Sequence, residues 1–337
     1  MKHYHKAIGL AAALATMVTA QATTSSAISA ANQAEPIELL RGIPHQALFD
    51  VAFDGSHGIA VGAGGEIVVS QDAGQSWAPQ KSPSQLSLLG VATRGARTIA
   101  VGQMGMILVK NGNADWQAIK TDTTERLMAV DLNAQGLAVV VGTFGTVLKS
   151  TDGGQSWHNA APDWSTMFTA ESATLGDAFH PHLYGVKVGD DGKVTIAGEL
   201  SLIMTSKAGA PWQLAHRGAV NDGRVDPSIF GLDIRDDGVG FAVGQSGMIL
   251  KTVNGGASWL PQPGGGTAIL LGVESGADHR VLITGMREML ASDNDGASWR
   301  QVVGGDIATA WYSAAVRPAG SDRILVAGQS GKIISVK

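Results

Sequence analysis

Residues 127–160 read "LMAVDLNAQGLAVVVGTFGTVLKSTDGGQSWHNA", and this unit recurs along the chain. Five other copies begin at Leu48, Leu88, Leu183, Ile229 and Leu270, and a seventh begins at Trp311. One glycine marks an equivalent position in the seven copies: Gly62, Gly102, Gly142, Gly198, Gly244, Gly285 and Gly328. Repeats of roughly 40–50 residues with four short strands each are typical of propeller blades. The sequence therefore predicts an all-β fold, a seven-bladed β-propeller with four-stranded blades.

The two ends of the repeat array predict how the ring closes. The seventh copy stops before its fourth strand, which would leave an unpaired sheet edge open to pairing with other chains. Residues 36–43, "PIELLRGI", lie just before the first copy and can supply the missing strand. We expect this N-terminal strand to complete the seventh blade, so that strands from both ends of the chain close the ring.

Within each copy, the residue types fit the four strands of a blade. The first strand carries a small side chain after its leading apolar pair in most copies, which suits an innermost strand near a crowded axis: Asp50, Gly90, Ala129, Gly185, Gly231, Gly272 and Ser313. The second strand ends at a Gly-x-x-Gly turn, where positive φ is easily reached. A tryptophan opens the fourth strand and buries a large apolar area.

The segment "SQDAGQSW", residues 70–77, matches the Asp-box pattern Ser-x-Asp-x-Gly-x-x-Trp, familiar from sialidases. A second full copy occupies residues 150–157, and two copies with asparagine in the aspartate position occupy residues 252–259 and 292–299. Short polar side chains at such positions bond nearby backbone N–H groups and tighten a turn. Because the box recurs where no single substrate could touch every copy, we interpret it as a structural corner.

The N-terminus has the pattern of a secretory signal peptide. Lys2 and Lys6 precede a mostly apolar run from residue 8 to residue 20, and small residues follow at Ala20 and Ala22. We predict a cleaved signal over residues 1–22, with an end as late as about residue 30, a flexible linker over 23–35 and one propeller over 36–337. The alternative is a disordered cytosolic tail. The run is too short for a permanent membrane span, which needs roughly 20 apolar residues.

Composition excludes several classes of partner. The net charge is −5 and only 16% of the residues are charged, so neither nucleic acid nor an anionic membrane is an expected partner. The chain has no cysteine, which excludes disulfides and a lipid-bearing cysteine. We expect an exported monomer that does not itself span a membrane.

The sequence contains no recognisable active site, cofactor site or metal site. A sialidase-like centre needs an arginine cluster and a Tyr–Glu pair, but Tyr184 and Tyr312 occupy a repeat position filled elsewhere by large apolar residues. His180 and His182, in "FHPH", can contact a metal, although two histidines around a proline usually mark only a loop. Two carboxylates about 5 Å apart would serve a retaining glycosidase, but no such pair stands out. We therefore predict no catalytic residues, cofactor or metal.

At the level of these repeats, with "VGxxGxIL" leading to "TDGGQSW", the chain resembles the photosystem II assembly and stability factor family. The resemblance covers nearly the whole of residues 36–337. It implies a lumenal or periplasmic seven-bladed propeller that binds a subunit of a membrane-protein complex and has no catalytic activity. The plant and cyanobacterial members dock through an arginine-rich patch, whereas the arginines here are scattered among aspartates. Relatives in non-photosynthetic bacteria resemble companions of inner-membrane export systems.

Departures from the repeat indicate where such a partner binds. Insertions lengthen two blade connectors, at residues 161–182 and 216–228, and unusual residues occupy three of the turns between second and third strands. All of these fall on one face of a propeller, and exceptions to a rigid repeat are reasonable recognition sites. The candidate residues are Phe144, Trp164, Met167, Phe168, Phe179, Glu199, Arg224, Arg287 and Glu288. The aromatic residues are either exposed anchors for a partner or pins that hold the insertion onto the blades.

Two functional hypotheses follow. The first is an extracytoplasmic propeller, in the periplasm or in a thylakoid lumen, that binds protein and aids the assembly or stability of a membrane complex. The second is a carbohydrate-active propeller, a sialidase-like hydrolase or a lectin, that uses the central channel. Arginine–carboxylate geometry near the axis would favour the second hypothesis, and a closed channel lined by small or apolar residues would favour the first.

Overall fold

A computed structural model describes residues 34–337 apart from 170–171, 177–178, 208, 222–223 and 265. The predicted signal peptide and most of the predicted linker therefore lie outside the described residues. In the described part of the chain the strands form seven antiparallel sheets of four strands and one short hairpin. The prediction of a seven-bladed all-β propeller with four-stranded blades is confirmed.

The strands follow the repeat units in order from the channel outwards. After β1 (Ile37–Leu40), blade 1 holds β2 (Leu48–Asp54), β3 (His57–Gly62), β4 (Ile67–Ser70) and β5 (Ala78–Pro79). Blade 2 holds β6 (Leu88–Arg94), β7 (Arg97–Gly102), β8 (Ile107–Asn111) and β9 (Gln117–Ile119). Blade 3 holds β10 (Leu127–Leu132), β11 (Ala138–Gly142), β12 (Val147–Ser150) and β13 (His158–Asn159). Blade 4 holds β14 (Leu183–Val188), β15 (Lys193–Gly198), β16 (Ile203–Lys207) and β17 (Gln213–His216).

The remaining strands complete the ring. The hairpin β18 (Val220–Asn221) and β19 (Arg224–Val225) lies in the connector to blade 5. Blade 5 holds β20 (Ile229–Ile234), β21 (Gly240–Gly244), β22 (Ile249–Thr252) and β23 (Leu260–Pro261). Blade 6 holds β24 (Leu270–Ser275), β25 (Val281–Gly285), β26 (Met289–Ser292) and β27 (Arg300–Gln301). Blade 7 holds β28 (Tyr312–Val316), β29 (Ile324–Gly328) and β30 (Ile333–Val336).

In the described residues, helical structure is confined to single turns. Four 3-10 turns follow second strands, at Ala63–Gly65, Gln103–Gly105, Glu199–Ser201 and Gln245–Gly247. Another 3-10 turn, Trp164–Thr166, and the short helix α1, Ser172–Leu175, lie in the insertion after blade 3. Among the described residues, no helix has the length and apolar character that crossing a membrane requires.

The N-terminal strand closes the ring as predicted. Strand β1 pairs antiparallel with β30, placing Ile37 opposite Ser335 and Leu40 opposite Ile333. Seven successive inner strands contact each other around the ring, and β28 of the last blade contacts β2 of the first. The exposed edge that the last copy would present is therefore covered by the chain's own N-terminal segment.

The seven repeat glycines are required by close backbone approach. Gly62, Gly102, Gly198 and Gly244 have φ between −162° and −173°, which is extended backbone that other residues also adopt. A Cβ on any of the seven would collide with the carbonyl oxygen of the connector before the inner strand, such as that of Ala47 or His182. The expectation that this turn uses positive φ applies to the residues that follow, including Gly65 at 76° and Gly105 at 67°.

Crowding at the axis explains the small side chains of the inner strands. A Cβ on Gly90 would lie 2.9 Å from the Cα atom of Ala129 in the next blade. One on Gly272 would lie 2.7 Å from the carbonyl oxygen of Ser313. Neighbouring inner strands thus meet backbone to backbone, and larger residues would separate the blades.

The box segments form corner turns between the third and fourth strands. The buried Ser150 hydroxyl accepts a hydrogen bond from the Gly154 N–H at 2.9 Å and donates one to Asp152 at 2.7 Å. The Asp152 carboxylate also accepts from the Ser156 N–H at 3.0 Å, and the Trp157 indole donates to the Gly154 carbonyl at 2.9 Å. Asn254 and Asn294 make the equivalent contacts in blades 5 and 6. The serine or threonine and the aspartate or asparagine of each box are thus used within its own turn, whereas the buried Trp299 indole N–H of blade 6 has no partner among the described residues.

Candidate functional site

The two faces of the ring are built from different segments. In all seven blades the first residue after the second strand donates its N–H to the preceding connector; Gln103, for example, bonds the Ser87 carbonyl at 3.1 Å. We call the side that carries these turns and connectors the turn face. On the opposite side, box turns bond the loops between first and second strands, as Gly153 bonds the Gly136 carbonyl at 2.9 Å. We call that side the box face.

Each turn on the turn face has a residue in the left-handed conformation at its tip. The tip residues are Gly64, Met104, Phe144, Leu200, Ser246, Arg287 and Ser330, with φ between 52° and 65°. Glycine reaches this conformation freely, whereas other L-residues pay about 1–2 kcal/mol for it. Blade 1 has glycine there, and a Cβ at Gly64 would meet no atom within 4 Å, so packing does not require a larger residue at that tip.

Two of these tips carry large, exposed apolar side chains. Met104 is 64% exposed and Phe144 is 61% exposed. Burial therefore stabilises these side chains little, although each occupies a backbone conformation that glycine would adopt at lower energy. Strain that the fold does not need is characteristic of functional positions.

An aromatic path leads from Phe144 towards the axis. The Phe144 N–H donates to His182 Nδ1 at 3.0 Å, and the two rings meet edge to face at 4.8 Å between centroids. His182 lies 6.5 Å from the Tyr184 ring, and Tyr184 packs on Phe230 at 5.0 Å. His182 therefore positions an exposed phenylalanine. In the part of the chain that the structure describes, no three His, Asp or Glu side chains are grouped as a metal ligand set.

Half-buried apolar side chains encircle the mouth of the central channel on the turn face. They occupy the second position of six inner strands, and we call them the collar: Phe49, Leu89, Met128, Tyr184, Phe230 and Leu271. Ser313 completes the ring in blade 7, where Trp311 stacks on Phe49 at 6.1 Å. The channel that the collar and the deeper side chains line has a volume of about 1260 Å³. The collar, Met104 and Phe144 thus give this face an exposed apolar surface.

Blade 7 departs from the predicted alignment by one position. Tyr312 pairs with Gly328, as Leu48 pairs with Gly62, so Tyr312 occupies the first position and not the collar position. Its ring is almost completely buried and its hydroxyl donates to Asp306 at 2.6 Å. Tyr184 does occupy the collar position, where burial raises its pKa to about 12. Both tyrosines have packing roles, but they are not in the same position of the repeat.

Charged side chains line the channel below the collar. Asp50 accepts the Val91 N–H of the next blade at 2.8 Å, and Asp131 accepts the Val188 N–H at 2.6 Å. Asp233 accepts the N–H and hydroxyl of Ser275 at 3.0 and 2.6 Å. These three carboxylates each bridge two neighbouring inner strands, so they hold adjacent blades together at the axis.

One lysine and one further carboxyl complete this charged zone. Lys187 Nζ lies 3.0 Å from Asp233 Oδ1. Glu274 lines the same zone, and among the described residues no group donates a hydrogen bond to its carboxylate. Burial raises the pKa of Asp50 to about 7, and burial together with the nearby Asp233 raises that of Glu274 to about 8. Burial also raises the Asp131 pKa, whereas Lys187 and Ser275 overcome burial at Asp233 and lower its pKa.

These channel residues were not among the predicted site residues, although the repeat carries a signal for them. The fifth position of the inner strand is alanine in blades 1 and 2 but is charged in four consecutive blades: Asp131, Lys187, Asp233 and Glu274. The channel is therefore neither closed nor lined only by small residues. Its three aspartates are used in bridges between blades.

The insertion after blade 3 packs its aromatic residues onto the blades beneath it. Trp164 is only 5% exposed and Phe168 only 4%, and both belong to a core cluster with residues of blades 3 and 4. The Trp164 indole donates to the Gly145 carbonyl at 2.9 Å. Met167 and Phe179 are half-buried against the same cluster, with the Phe179 ring 5.1 Å from Phe168. Of the two alternatives for these aromatic residues, the burial of Trp164 and Phe168 favours pins that hold the insertion onto the blades.

The charged candidates are dispersed over the turn face. Glu199 accepts the His182 N–H at 2.8 Å, the same role that Gln245 performs for Ser228 at 3.0 Å. Arg287 is exposed at its left-handed tip, and Glu288 beside it is half-buried. Both lie on blade 6, whereas Glu199 lies on blade 4, with blade 5 between them. Arg224 lies in β19, and its side chain is outside what the structure describes. The structure does not gather these residues into one charged site.

Ion pairs consolidate the box face. Arg235 bonds Asp237 at 2.8 Å and Asp295 at 2.5 Å, and Arg317 bonds Asp278 at 2.8 Å. The Arg94–Asp190 pair, at 3.0 Å, joins loops of blades 2 and 4 across the box end of the channel. These arginine–carboxylate contacts join loops of the ring at that end.

Comparison with known proteins confirms the resemblance seen in the repeats. The chain is 26% identical over 297 aligned residues to the photosystem II assembly lipoprotein Ycf48 of Synechococcus sp. (strain CC9902), an alignment covering 77% of this chain and 84% of that protein. No family model matches the chain.

Solved structures share the fold. YCF48 bound to a D1 peptide superposes with a TM-score of 0.67 at 19% identity, over 90% of this chain and 97% of that one. YCF48 from Cyanidioschyzon merolae gives a TM-score of 0.68 at 19% identity, over 90% and 98% of the two chains. The WD40 propeller domain of Doa1 gives 0.65 at 15% identity, over 91% and 97%. At these identities the superpositions establish the propeller fold and no more.

Proposed function

We propose that this protein is a non-catalytic, extracytoplasmic binding propeller that aids the assembly or stability of a membrane-protein complex. It binds a subunit of that complex through the turn face. The predicted signal peptide supports export to the periplasm, or to a thylakoid lumen in a phototroph. The sequence similarity to a photosystem II assembly lipoprotein and the shared fold with a YCF48 that binds a D1 peptide support a client of this class. In a non-phototroph the corresponding client is an inner-membrane export system.

One observation carries the proposal. Met104 and Phe144 are large, apolar and exposed, and they hold left-handed tips where glycine would be less strained. The collar continues this apolar surface to the channel mouth. Exposed apolar surface of this kind marks protein interaction sites on soluble proteins.

The carbohydrate-active alternative lacks a comparable observation. The carboxylates of Asp50, Asp131 and Asp233 accept backbone hydrogen bonds between blades. The arginine–carboxylate pairs near the axis join loops of the box face. We therefore assign these groups to the stability of the ring rather than to glycoside chemistry.

The test is an affinity pull-down from detergent-solubilised membranes of the native organism, with the purified protein as bait. The variant Met104→Gly/Phe144→Gly removes the exposed apolar tips while retaining the left-handed turns. We expect the intact bait to enrich one membrane complex and the variant to recover at least tenfold less of it.

Val253→Ala is the matched control, because Val253 is an apolar residue of the box face that is 69% exposed. This variant should recover as much of the complex as the unmodified protein. Equal recovery by all three baits would overturn the assignment to the turn face, and absence of any enriched membrane protein would overturn the proposed function itself.

A further inference from the structure

The turn face combines an apolar rim with a charged interior, and this combination restricts what can bind there. The collar presents large apolar side chains at the second position of each inner strand. Asp131, Lys187, Asp233 and Glu274 lie three residues further along their strands, about 10 Å deeper at roughly 3.3 Å per residue, and Asp50 lies one residue beyond Phe49. A segment that fills both levels must offer apolar side chains at the mouth and one long side chain that reaches inwards.

The charge of the interior selects the sign of that side chain. Four carboxyl groups, those of Asp50, Asp131, Asp233 and Glu274, line the zone together with Lys187, and the nearby Arg317 is paired with Asp278. Lys187 is already paired with Asp233. No described group donates a hydrogen bond to Glu274, whose carboxylate faces the channel without a counter-charge in contact.

The direction of entry follows from the two ends of the channel. The Arg94–Asp190 pair joins blades 2 and 4 at the box end. At the turn end no described ion pair crosses the collar, which consists of six apolar side chains and Ser313. A chain segment therefore enters from the turn face, where Met104 and Phe144 extend the apolar surface outwards.

We propose that the channel mouth binds a peptide segment in which a lysine or arginine is flanked by large apolar residues. The apolar residues pack on the collar, and the aliphatic stem of the basic residue passes through it with the charged head among the carboxylates. This inference rests on the proposed function, since it specifies the chemistry of the client segment at the same face.

Protonation in the channel should respond to such a ligand. Glu274 faces Asp233 of blade 5, Lys187 of blade 4 and Arg317 of blade 7, with Asp278 on its own blade. Burial and Asp233 keep its pKa high, at about 8, when no ligand is present. A bound cation favours the ionised carboxylate, so binding releases a proton and strengthens as the pH rises.

The test begins with selection from a random nine-residue peptide library, with the purified protein as bait. We expect selected peptides to contain one Lys or Arg between large apolar residues, and the same selection on Glu274→Lys to lose this enrichment. Failure to select any peptide, or selection without enrichment for basic residues, would overturn the inference.

A double-mutant cycle then places the basic residue at the channel. In the best selected peptide, norleucine in place of the basic residue should lower affinity about tenfold for the unmodified protein but less than threefold for Glu274→Gln. Glu274→Gln preserves side-chain volume and breaks no described hydrogen bond. Asp115→Asn removes one carboxylate from an exposed outer loop and should retain the full tenfold effect.

The pH dependence supplies a second readout. Affinity of the basic peptide should rise at least threefold from pH 6 to pH 8.5, while affinity of the norleucine peptide stays constant. The channel would be rejected as the binding site if norleucine lowered the affinity equally for Glu274→Gln and Asp115→Asn. The same pH profile for both peptides would also reject it. A membrane complex captured through Met104 and Phe144, combined with either result, would leave the proposed function standing and reject only this chemistry of its client.

Discussion

The two faces of the ring differ in whether the side chains at their turns interact within the chain or remain exposed. On the box face, side-chain oxygens and arginines bond within their own turns or to the next loop, as Ser150 and Arg235 do. On the turn face, Met104 and Phe144 project from strained tips without being buried. Groups whose interactions are complete within the chain contribute to stability, whereas exposed apolar groups held at an energetic cost remain available to a partner.

The largest expected change in stability distinguishes a buried aromatic residue of the turn face from an exposed one. Trp164→Ala removes a buried ring and its hydrogen bond to Gly145, which should lower the free energy of unfolding by about 3–5 kcal/mol. Urea unfolding followed by circular dichroism measures this change. Phe144→Ala, the same loss of an aromatic ring at an exposed site, should change it by less than about 1 kcal/mol. Similar losses in both variants would contradict the assignment of Trp164 as a pin.

The next effect lies on the box face. Ser150→Ala leaves the buried Gly154 N–H without its acceptor and should lower the free energy of unfolding by about 1–3 kcal/mol. The same variant should bind the membrane complex as the unmodified protein does, in a pull-down at a temperature where both are folded. Loss of binding at unchanged stability would show that the box face takes part in recognition.

Asp152, the aspartate of the same box, contributes to stability in a way that depends on pH. Hydrogen bonds from Ser156 and Ser150 hold the pKa of the Asp152 carboxyl well below its ordinary value. Stability from a lowered pKa is present above the unfolded-state value of about 3.9 and is lost as the pH falls through the folded-state value. The stability difference between the unmodified protein and Asp152→Asn should therefore shrink below about pH 4 in urea titrations. A difference that does not vary between pH 7 and pH 3 would contradict this.

A smaller effect concerns the channel between the faces. The pKa of Glu274 is raised to about 8, so the folded protein holds this proton more tightly than the unfolded chain does. The resulting contribution to the free energy of unfolding is fully present below the ordinary pKa of 4.5 and is lost as the pH rises through 8. Glu274→Gln cannot ionise, so its free energy of unfolding should exceed that of the unmodified protein at pH 8.5 and match it near pH 4.5. Asp115→Asn should show no such trend. Urea unfolding at the two pH values decides the matter, and an equal difference at both would reject the raised pKa.

The smallest effect on stability accompanies the largest expected effect on binding. Glycine relieves the left-handed strain at Phe144 by about 1–2 kcal/mol but adds about 0.5–1 kcal/mol of unfolded-chain entropy. Phe144→Gly should thus leave the free energy of unfolding unchanged or raise it by up to about 1 kcal/mol while it weakens capture of the complex. Thermal unfolding and pull-down on the same preparation test both parts. A clear loss of stability would indicate that Phe144 packs as part of the fold.

The amino-acid sequence by itself determined the ring, because each blade is a local unit whose strands, turns and corner residues recur at a fixed spacing. The glycines, the box turns and the strand that closes the ring could all be located from this repetition. Residue types alone could not separate exposed from buried aromatic residues. Trp164 and Phe144 are both departures from the repeat, yet one lies under the insertion and the other projects from a tip.

Only the tertiary structure assembled the collar and the charged zone, since each draws one residue from each of several blades. The fifth inner-strand position becomes a charged channel wall only when residues from Asp131 to Glu274, far apart in the chain, meet around one axis. The blade-to-blade bridge of Asp50 and the one-position shift of Tyr312 likewise depend on strand register, which a repeat pattern defines only approximately. Local interactions built the blades, and long-range packing around the axis built the surface that we assign to the partner.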